Sequence, residues 1–222
     1  MKQSVPPSFS GRAQRRDGRA TRGVILEAAG RIFAERGFSD ATSKEICEKA
    51  GVNSASVNYY FGGKDKLYEE VLREAHQQML SLDDLVEIID SGVPPEEKLR
   101  LFLGRLLHTA ASSAEIWGIK VFMRELAAPS QLATRAISSV VFPKAERIRE
   151  LVHAITGLPP ESETVQRAIA FVVLPCISLI MFPDSLRTRI LPGTASNNEN
   201  MLEDLTCYAL GGLRALGAKR EE

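Results

Sequence analysis

Apolar residues recur every three or four positions along almost the whole chain, which is the repeat of one face of an α-helix. From residue 21 they fall at Ile25, Ala29 and Ile32, and Gly37 follows as a helix stop. Similar stripes continue beyond residue 80. The pattern predicts an all-α fold, with an N-terminal three-helix domain that contains a helix-turn-helix and a larger C-terminal helical domain.

Two short helices are predicted after the first. Thr42 or Ser43 can cap one that runs to Gly51, and Asn53 or Ser54 can cap another that ends before a glycine pair. Two short helices joined by a tight turn that contains glycine form a helix-turn-helix. The second helix of such a unit enters the major groove of DNA.

The second short helix divides into core and surface positions. Val57 and Phe61 are four residues apart and are expected to pack inward together. The small residues at 54–56 allow close approach to base edges, and the residues at 58–60 can donate to phosphates or bases. Lys64, at the start of the next helix, can bind a phosphate. The alternative for the two tyrosines is that they only pack beneath the following helix.

The net charge is zero overall but is unevenly distributed. Residues 1–66 hold 12 Lys and Arg against 7 Asp and Glu, so a polyanion is expected to bind the N-terminal part. Much of the excess lies in residues 1–20, which are predicted to be a flexible basic arm. A solubilising tail is the alternative.

The composition, 44% hydrophobic and 25% charged, is that of an ordinary globular protein. Cys47, Cys176 and Cys207 lie far apart and form no CxxC pair, so neither a zinc site nor a disulfide framework is suggested. No apolar run is expected to approach the roughly 20 residues of a membrane-spanning helix, and the polar N-terminus lacks a signal core. We expect a soluble protein of a reducing cytoplasm, without membrane, metal or cofactor.

The segment from about residue 20 to 70 resembles the DNA-binding domain of the TetR family of bacterial transcriptional regulators. Many members carry a Tyr and a His where this chain has Asn58 and Tyr60. The resemblance is carried by Thr42, Ile46, Ala50, Gly51, Val52, Tyr59, Tyr60, Phe61, Lys64 and Leu67.

This resemblance implies a homodimer that binds double-stranded, palindromic operator DNA and is released by a small molecule. The DNA-binding domain would cover residues 21–68, and an effector-binding and dimerisation domain residues 69–222. Ten DNA contacts are carried over by residue type: Thr42, Ser43, Lys44, Ser54, Ala55, Ser56, Asn58, Tyr59, Tyr60 and Lys64.

The C-terminal half should contain several longer helices. Residues 131–156 are predicted to form one that Pro143 kinks or breaks. Residues 162–182 are apolar nearly all round, and a last helix is expected over 198–216. Two such helices suit a dimer interface. The alternative is that the apolar helix is the centre of a monomer core.

The stretch "WGIKVFMRELAAPS" resembles the CecR-type C-terminal domain, which occurs in a TetR branch associated with genes for export or for handling toxic compounds. An apolar pocket with a few polar groups would suit an amphipathic or aromatic effector. The alternative is that the aromatic residues are core and that Arg124 pairs with an acid for structural reasons. The predicted ligand contacts are Phe102, Leu106, Trp117, Phe122, Met123, Arg124 and Phe171.

Catalysis finds little support. His76, His108 and His153 lie on separate predicted helices without HxxxH or HExxH spacing, and no Ser stands in a GxSxG setting. The chain is therefore predicted to be a ligand-responsive repressor and not an enzyme. The remaining alternative is a small-molecule sensor or carrier whose DNA domain is vestigial.

Overall fold

The computed structural model describes residues 10–112, 116–182, 184–194 and 200–219. This part of the chain is helical apart from its connections, one of which is a 3-10 turn at Pro192–Thr194. The predicted all-α class is confirmed. The α-helices of the described residues are α1 Ser10–Asp40, α2 Ser43–Ala50, α3 Ser56–Phe61, α4 Lys64–Met79, α5 Leu82–Asp90, α6 Pro95–Ala111, α7 Trp117–Ala127, α8 Gln131–Thr156, α9 Glu163–Met181, α10 Asp184–Ile190 and α11 Asn200–Ala218.

Helix α1 begins well before the predicted start at residue 21. It runs from Ser10 and is interrupted near its end by a kink at Gly37, where φ is 80° and ψ is 174°. The predicted flexible arm is therefore wrong for residues 10–20, which contain no proline and several good helix formers such as arginine and alanine. Residues 1–9 of that predicted arm lie outside the described residues.

Three clusters of buried side chains organise the described part of the chain. The first core combines α1 to α4 with α7 and the start of α8. The second core joins α5, α6, α8, α9 and α11, and the small third core gathers Met79, Ala110, Ile119 and Ile180. Because the first core extends across residue 68, the division into domains at that position stays a prediction.

Helix α4 connects the two ends of this arrangement. It starts at Lys64 beside α3 and ends at Met79, which belongs to the third core. At a rise of 1.5 Å per residue its 16 residues extend over about 24 Å. Along this length it packs against α1, α7 and α8. Helix α4 thus joins the helix-turn-helix to the third core.

Helix α8 continues through Pro143 without a break. The predicted break is therefore wrong. Proline removes one intrahelical hydrogen bond and crowds the preceding turn. Packing of α8 against α4, α5, α9 and α11 offsets this loss, which local sequence alone does not reveal.

Helix α9 is apolar enough, and at 19 residues long enough, to cross a membrane, with a mean hydropathy of 1.9. The expectation that no apolar run approaches such a length is wrong for α9. One face of the helix packs into the second core through residues such as Val172 and Cys176. The opposite face exposes Phe171, Leu174 and Met181. Helix α9 therefore has two apolar faces, one buried in the second core and one exposed.

Candidate functional site

Helix α2 is held at both ends by local hydrogen bonds. The Oγ1 of Thr42 accepts from the Glu45 N–H at 3.2 Å, and the Glu45 carboxylate accepts from the Thr42 N–H at 3.0 Å, which forms a capping box. The bond from the Thr42 N–H is the main reason that the pKa of Glu45 is lowered. Gly51 ends the helix at φ 66°, a left-handed conformation that favours glycine. The turn of the helix-turn-helix starts from this residue.

Helix α3 begins at Ser56, two residues later than predicted. The Asn53 Oδ1 accepts from the Ala55 N–H at 2.9 Å, and the Asn53 carbonyl oxygen accepts from the Ser56 N–H at 2.9 Å. Asn53 therefore closes a turn before the helix. Ser54 and Ala55 lie exposed in this turn, directly ahead of the first helical residue.

The predicted division of α3 into core and surface is confirmed for its apolar residues, because Val57 and Phe61 are both buried in the first core. The two tyrosines differ. Tyr59 is 82% exposed, whereas Tyr60 is half-buried and packs against the first core. Their rings stand perpendicular with centroids 4.9 Å apart. Tyr59 is thus open to a partner, and Tyr60 combines a packing position with a partly exposed edge.

Two cation–π contacts hold α1, α3 and α4 together. The Lys64 Nζ lies 4.4 Å from the centroid of the Phe38 ring, and the Arg22 guanidinium lies 4.7 Å from that of Phe61. Arg22 also pairs with Glu70 at 3.1 Å. The start of α4 is therefore fixed relative to α3, and Lys64 remains half-buried at the edge of the helix-turn-helix.

None of the ten predicted DNA contacts is buried, and all lie at the start of α2, in or around α3, or at the first residue of α4. Contact with DNA stays a prediction for each. The exposed ones are Thr42, Lys44, Ser54, Ala55, Asn58 and Tyr59, and the half-buried ones are Ser43, Ser56, Tyr60 and Lys64.

The seven predicted ligand contacts are not brought together. They are distributed among separate cores and the surface of the described chain. Phe102 and Leu106 belong to the second core, Trp117 to the first, Phe122 and Met123 border the third, and Arg124 and Phe171 are exposed.

Trp117 joins α7 to α1. Its indole N–H donates to the Glu27 carboxylate at 2.8 Å, and its ring is buried in the first core. Gly30 provides the necessary space, since a Cβ at this position would lie 2.5 Å from the indole. The side chain proposed from sequence to face a ligand instead packs against the DNA-binding end of the molecule.

Arg124 caps helix α1. Its guanidinium donates to the Ala34 carbonyl oxygen at 3.0 Å and to that of Glu35 at 2.8 Å. Both carbonyls lie in the turn before the Gly37 kink, where helical carbonyl groups lose their intrahelical donors. The partners of Arg124 are therefore main-chain oxygens and not a neighbouring acid, and its contact with a ligand stays a prediction.

Glu125 completes the contacts of α7. This buried carboxylate accepts from the Tyr68 hydroxyl at 2.5 Å and from the Ser130 N–H at 2.8 Å. Burial, together with the hydrogen bond to Glu125, raises the pKa of Tyr68 above its ordinary value. We call these contacts of Trp117, Arg124 and Glu125 with α1, α4 and the start of α8 the α7 joint.

A second surface lies on α9 and α11. Phe171 and Leu174 of α9 and Tyr208 of α11 are exposed by 63%, 58% and 76%. A groove of about 440 Å³ runs between the helices, and its floor on α11 includes the glycine pair 211–212. Side chains added at those glycines would meet no atom within 4 Å. We call this surface the α9–α11 face.

Two family models match the chain. "Bacterial regulatory proteins, tetR family" matches residues 25–71, which contain the helix-turn-helix. "HTH-type transcriptional dual regulator CecR, C-terminal domain" matches residues 95–211, more than half of the chain.

Curated relatives match mainly over part of their length. The HTH-type transcriptional repressor KstR2 of Mycolicibacterium smegmatis is 33% identical over 95 residues, which are 43% of this chain and 42% of that protein. The HTH-type transcriptional repressor AcnR of Corynebacterium efficiens is 30% identical over 105 residues, 44% of this chain and 56% of that protein. The matched segment thus spans about half of each relative.

Solved structures share the fold over most of the chain. The fatty acid degradation regulator FadR from Bacillus halodurans has a TM-score of 0.66 at 18% identity, covering 87% of this chain and 96% of that one. A putative transcriptional regulator from Pseudomonas aeruginosa has a TM-score of 0.69 at 16% identity and covers 96% of both. With its helix-turn-helix and the two matching family models, the chain belongs to the TetR family of bacterial transcriptional regulators and carries a CecR-type C-terminal domain.

Proposed function

We propose that this chain is a repressor that binds a palindromic operator as a homodimer and leaves it when a small molecule binds. The observation that carries the proposal is the exposed entry to α3, where Ser54 and Ala55 present no long side chain. A helix that reads the major groove must approach base edges closely. Asn53 holds this entry in the turn, while the contact of Arg22 with Phe61 fixes the other end of α3 to α1.

The ten predicted contacts divide by chemistry. Phosphate contact is proposed for Thr42, Tyr59, Tyr60 and Lys64, and the small residues at 54–56 would lie at the bases. The Thr42 hydroxyl already donates to the Glu45 carboxylate at 3.0 Å, so phosphate contact would require this proton to turn from Glu45 to a phosphate oxygen. Residues 21–68 would act as the DNA-binding domain.

The α9–α11 face is the proposed dimer interface. A single helix-turn-helix reads few base pairs, and twofold symmetry doubles its contacts on a palindrome. Phe171 and Leu174 would insert against the partner helices, where the small residues at 211–212 permit close approach. Protein contact also explains why an apolar helix such as α9 remains half-uncovered in one chain.

The proposed effector binds among residues 69–222 and is amphipathic or aromatic. Support comes from α4, which extends from the helix-turn-helix to the third core, and from the α7 joint, which ties the C-terminal helices to α1. The FadR of Bacillus subtilis, of similar fold, was solved with stearoyl-CoA. The CecR-type domain is the basis for proposing genes of export or of toxic-compound handling as targets, with the regulator acting in the cytoplasm.

Operator binding is tested with DNA from upstream of the chain's own gene. Fluorescence anisotropy at several salt concentrations should show tight, salt-dependent binding. Nuclease footprinting should show that the protein protects a palindrome. Ala55→Leu should abolish this binding, because the longer side chain would hold α3 away from the bases. Exposed Ala154, on α8, provides the matched control, and Ala154→Leu should bind as wild type does.

The outcome separates this proposal from a sensor or carrier with a vestigial DNA domain. A carrier would bind its small molecule but show only weak binding to the upstream fragment, equal to that for unrelated DNA. Equal affinity of Ala55→Leu and wild type for the operator would show that α3 does not enter the groove as proposed. Both variants should melt close to wild type, since surface substitutions usually change stability by less than about 0.5 kcal/mol.

A further inference from the structure

Lys144 is a buried cation that lacks a counter-ion within the described part of the chain. Lys144 lies on α8 and is 5% exposed, and its ammonium donates to the His76 carbonyl oxygen at 3.1 Å. No Asp or Glu among the described residues forms an ion pair with it, and burial alone lowers the pKa of the ammonium to about 8. The group is therefore still mostly protonated near neutral pH.

The hydrogen bond to the His76 carbonyl oxygen does not by itself satisfy the ammonium of Lys144. An ammonium carries three donors, of which the carbonyl oxygen satisfies one, and a buried charge without an opposite charge is unfavourable. The same His76 carbonyl oxygen also accepts from the Leu80 N–H at 3.4 Å. The His76 carbonyl oxygen thus has a second donor, the Leu80 N–H, and the buried ammonium of Lys144 retains donors for another acceptor.

His76, whose carbonyl oxygen accepts from Lys144, has an aromatic neighbour. The ring of His76 stands perpendicular to that of Phe122 with centroids 5.4 Å apart, and Phe122 borders the third core with Met123. Burial and then the charge of Lys144 lower the pKa of His76 to about 4, so its imidazole is neutral at pH 7. The residue that holds the ammonium thus also contacts Phe122 at the border of the third core, where methionine and aromatic side chains adapt readily to an apolar body.

We infer that Lys144 binds the carboxylate of the effector, whose apolar chain or aromatic body packs against the third core. The inference rests on the proposed ligand response and names the chemical class of that ligand. It assigns to Lys144 the role that sequence patterns assign to Arg124, the guanidinium of which is already bonded to main-chain oxygens of α1.

The position of Lys144 also links the ligand to DNA. Its present partner, His76, lies in the last turns of α4, and the first residue of α4 is Lys64 at the helix-turn-helix. A carboxylate that accepts from the remaining donors of the ammonium binds a group that is already bonded to α4 through the His76 carbonyl oxygen. A ligand that binds one arrangement of α4 better than the other shifts the population toward that arrangement. Carboxylate binding is thereby coupled to the placement of α3.

Isothermal titration calorimetry tests the head group with two matched pairs of probes. Dodecanoate is compared with dodecanol, and 2-naphthoate with 2-naphthol, at pH 7. At least one carboxylate should bind wild type more tightly than its uncharged counterpart. Lys144→Met and Lys144→Gln should weaken that carboxylate roughly ten- to hundredfold, the usual range for a buried charge-assisted hydrogen bond, and leave the alcohol unchanged.

The two variants separate head-group binding from capping of α4. Gln retains a donor for the His76 carbonyl oxygen but has no charge, whereas Met has neither. A capping role predicts that Gln behaves as wild type and only Met loses affinity and melting temperature, which would overturn the inference. Lys120, an exposed lysine of α7, supplies the control, and Lys120→Gln should bind every probe as wild type does. Lack of carboxylate preference in wild type would equally overturn the inference.

Operator binding is measured separately on the same variants. Operator release by the carboxylate in wild type, but not in Lys144→Gln, supports both proposals. Lys144-dependent carboxylate binding by a chain that never binds its operator would retain this site and reject the repressor function. An operator-binding chain whose carboxylate affinity is unaffected by Lys144→Gln would retain the repressor and reject the site.

Discussion

Helices α7 and α9 both carry large aromatic side chains, and Trp117 of α7 is covered by its own chain whereas Phe171 of α9 is not. Trp117 of α7 is 7% exposed and hydrogen-bonded, and Glu125 is buried with donors on two sides. Phe171 of α9 is 63% exposed beside Leu174 and the open groove on α11. The Trp117 side is thus enclosed within a single chain, whereas the α9–α11 face exposes apolar side chains that the proposed dimer would cover.

The two surfaces differ in the kind of contact that they offer. The α7 joint uses specific, satisfied polar contacts, which fix one geometry between the C-terminal helices and α1. The α9–α11 face uses apolar area and small residues, which favour association with an identical surface. Disrupting the first surface should therefore weaken folding, and disrupting the second should weaken assembly while the monomer stays folded.

The largest expected effect comes from Phe171→Glu. A charge on the α9–α11 face should convert the dimer to a monomer, seen by sedimentation velocity, and weaken operator binding at least about thirtyfold, as for loss of an interface hot spot. Phe142, exposed to a similar degree on α8, is the matched control. A variant Phe142→Glu that becomes monomeric while Phe171→Glu remains dimeric would place the interface on α8.

Gly30→Ala tests the packing of the α7 joint. Its Cβ would lie 2.5 Å from the Trp117 ring, and overpacking of this kind lowers the free energy of unfolding by about 2 kcal/mol. Gly23, on the same helix with open space around it, is the control, and Gly23→Ala should raise stability by up to about 1 kcal/mol. Urea unfolding followed by Trp117 fluorescence measures both. Equal stability of the two variants would mean that α7 does not press on α1 there.

Tyr68→Phe tests the polar part of the joint. Removing the hydroxyl deletes a hydrogen bond to buried Glu125 and should lower the free energy of unfolding by about 1.5 kcal/mol. Tyr59→Phe removes an exposed hydroxyl and should change stability by less than about 0.5 kcal/mol. Thermal unfolding by circular dichroism compares the two. A loss in Tyr59→Phe as large as that in Tyr68→Phe would contradict the assignment of stabilisation to the buried bond.

Lys64→Ala should leave both surfaces intact and has the smallest expected effect. If each subunit binds one phosphate through Lys64, the slope of log affinity against log salt should fall by about 2 for the dimer. Sedimentation velocity should still show a dimer, and urea unfolding should be close to wild type. An unchanged salt slope would leave the Lys64 ammonium as a packing partner of the Phe38 ring alone.

Local signals predicted the helix-turn-helix well. The structure contains each of the features on which this prediction depends, and each acts within a few residues. They are the cap at Thr42, the left-handed Gly51 and the buried pair Val57 and Phe61. The start of α3 differs by two residues because Asn53 bonds ahead to Ala55. The short helices α5 and α10 have no counterpart among the helices that the sequence predicts.

The ligand residues show the limit of local signals. An aromatic side chain with an arginine nearby fits both a pocket and a packed joint, and composition cannot distinguish the two. Arg124 finds main-chain oxygens 89 and 90 positions away, and Tyr68 finds Glu125 57 positions away. Lys144 carried no signal, because burial of a lysine depends on which helices surround it.

The sequence by itself determined the helical class and the helix-turn-helix, because caps, turns and apolar periodicity act over three to seven residues, and its resemblance to known regulators indicated the family. Tertiary structure decided which apolar faces are covered within one chain. It placed Trp117 against α1, left Phe171 exposed on α9 and buried the charge of Lys144 beside His76. Periodicity shows that a helix has an apolar face, but the partner that covers this face is set by packing among helices distant in sequence.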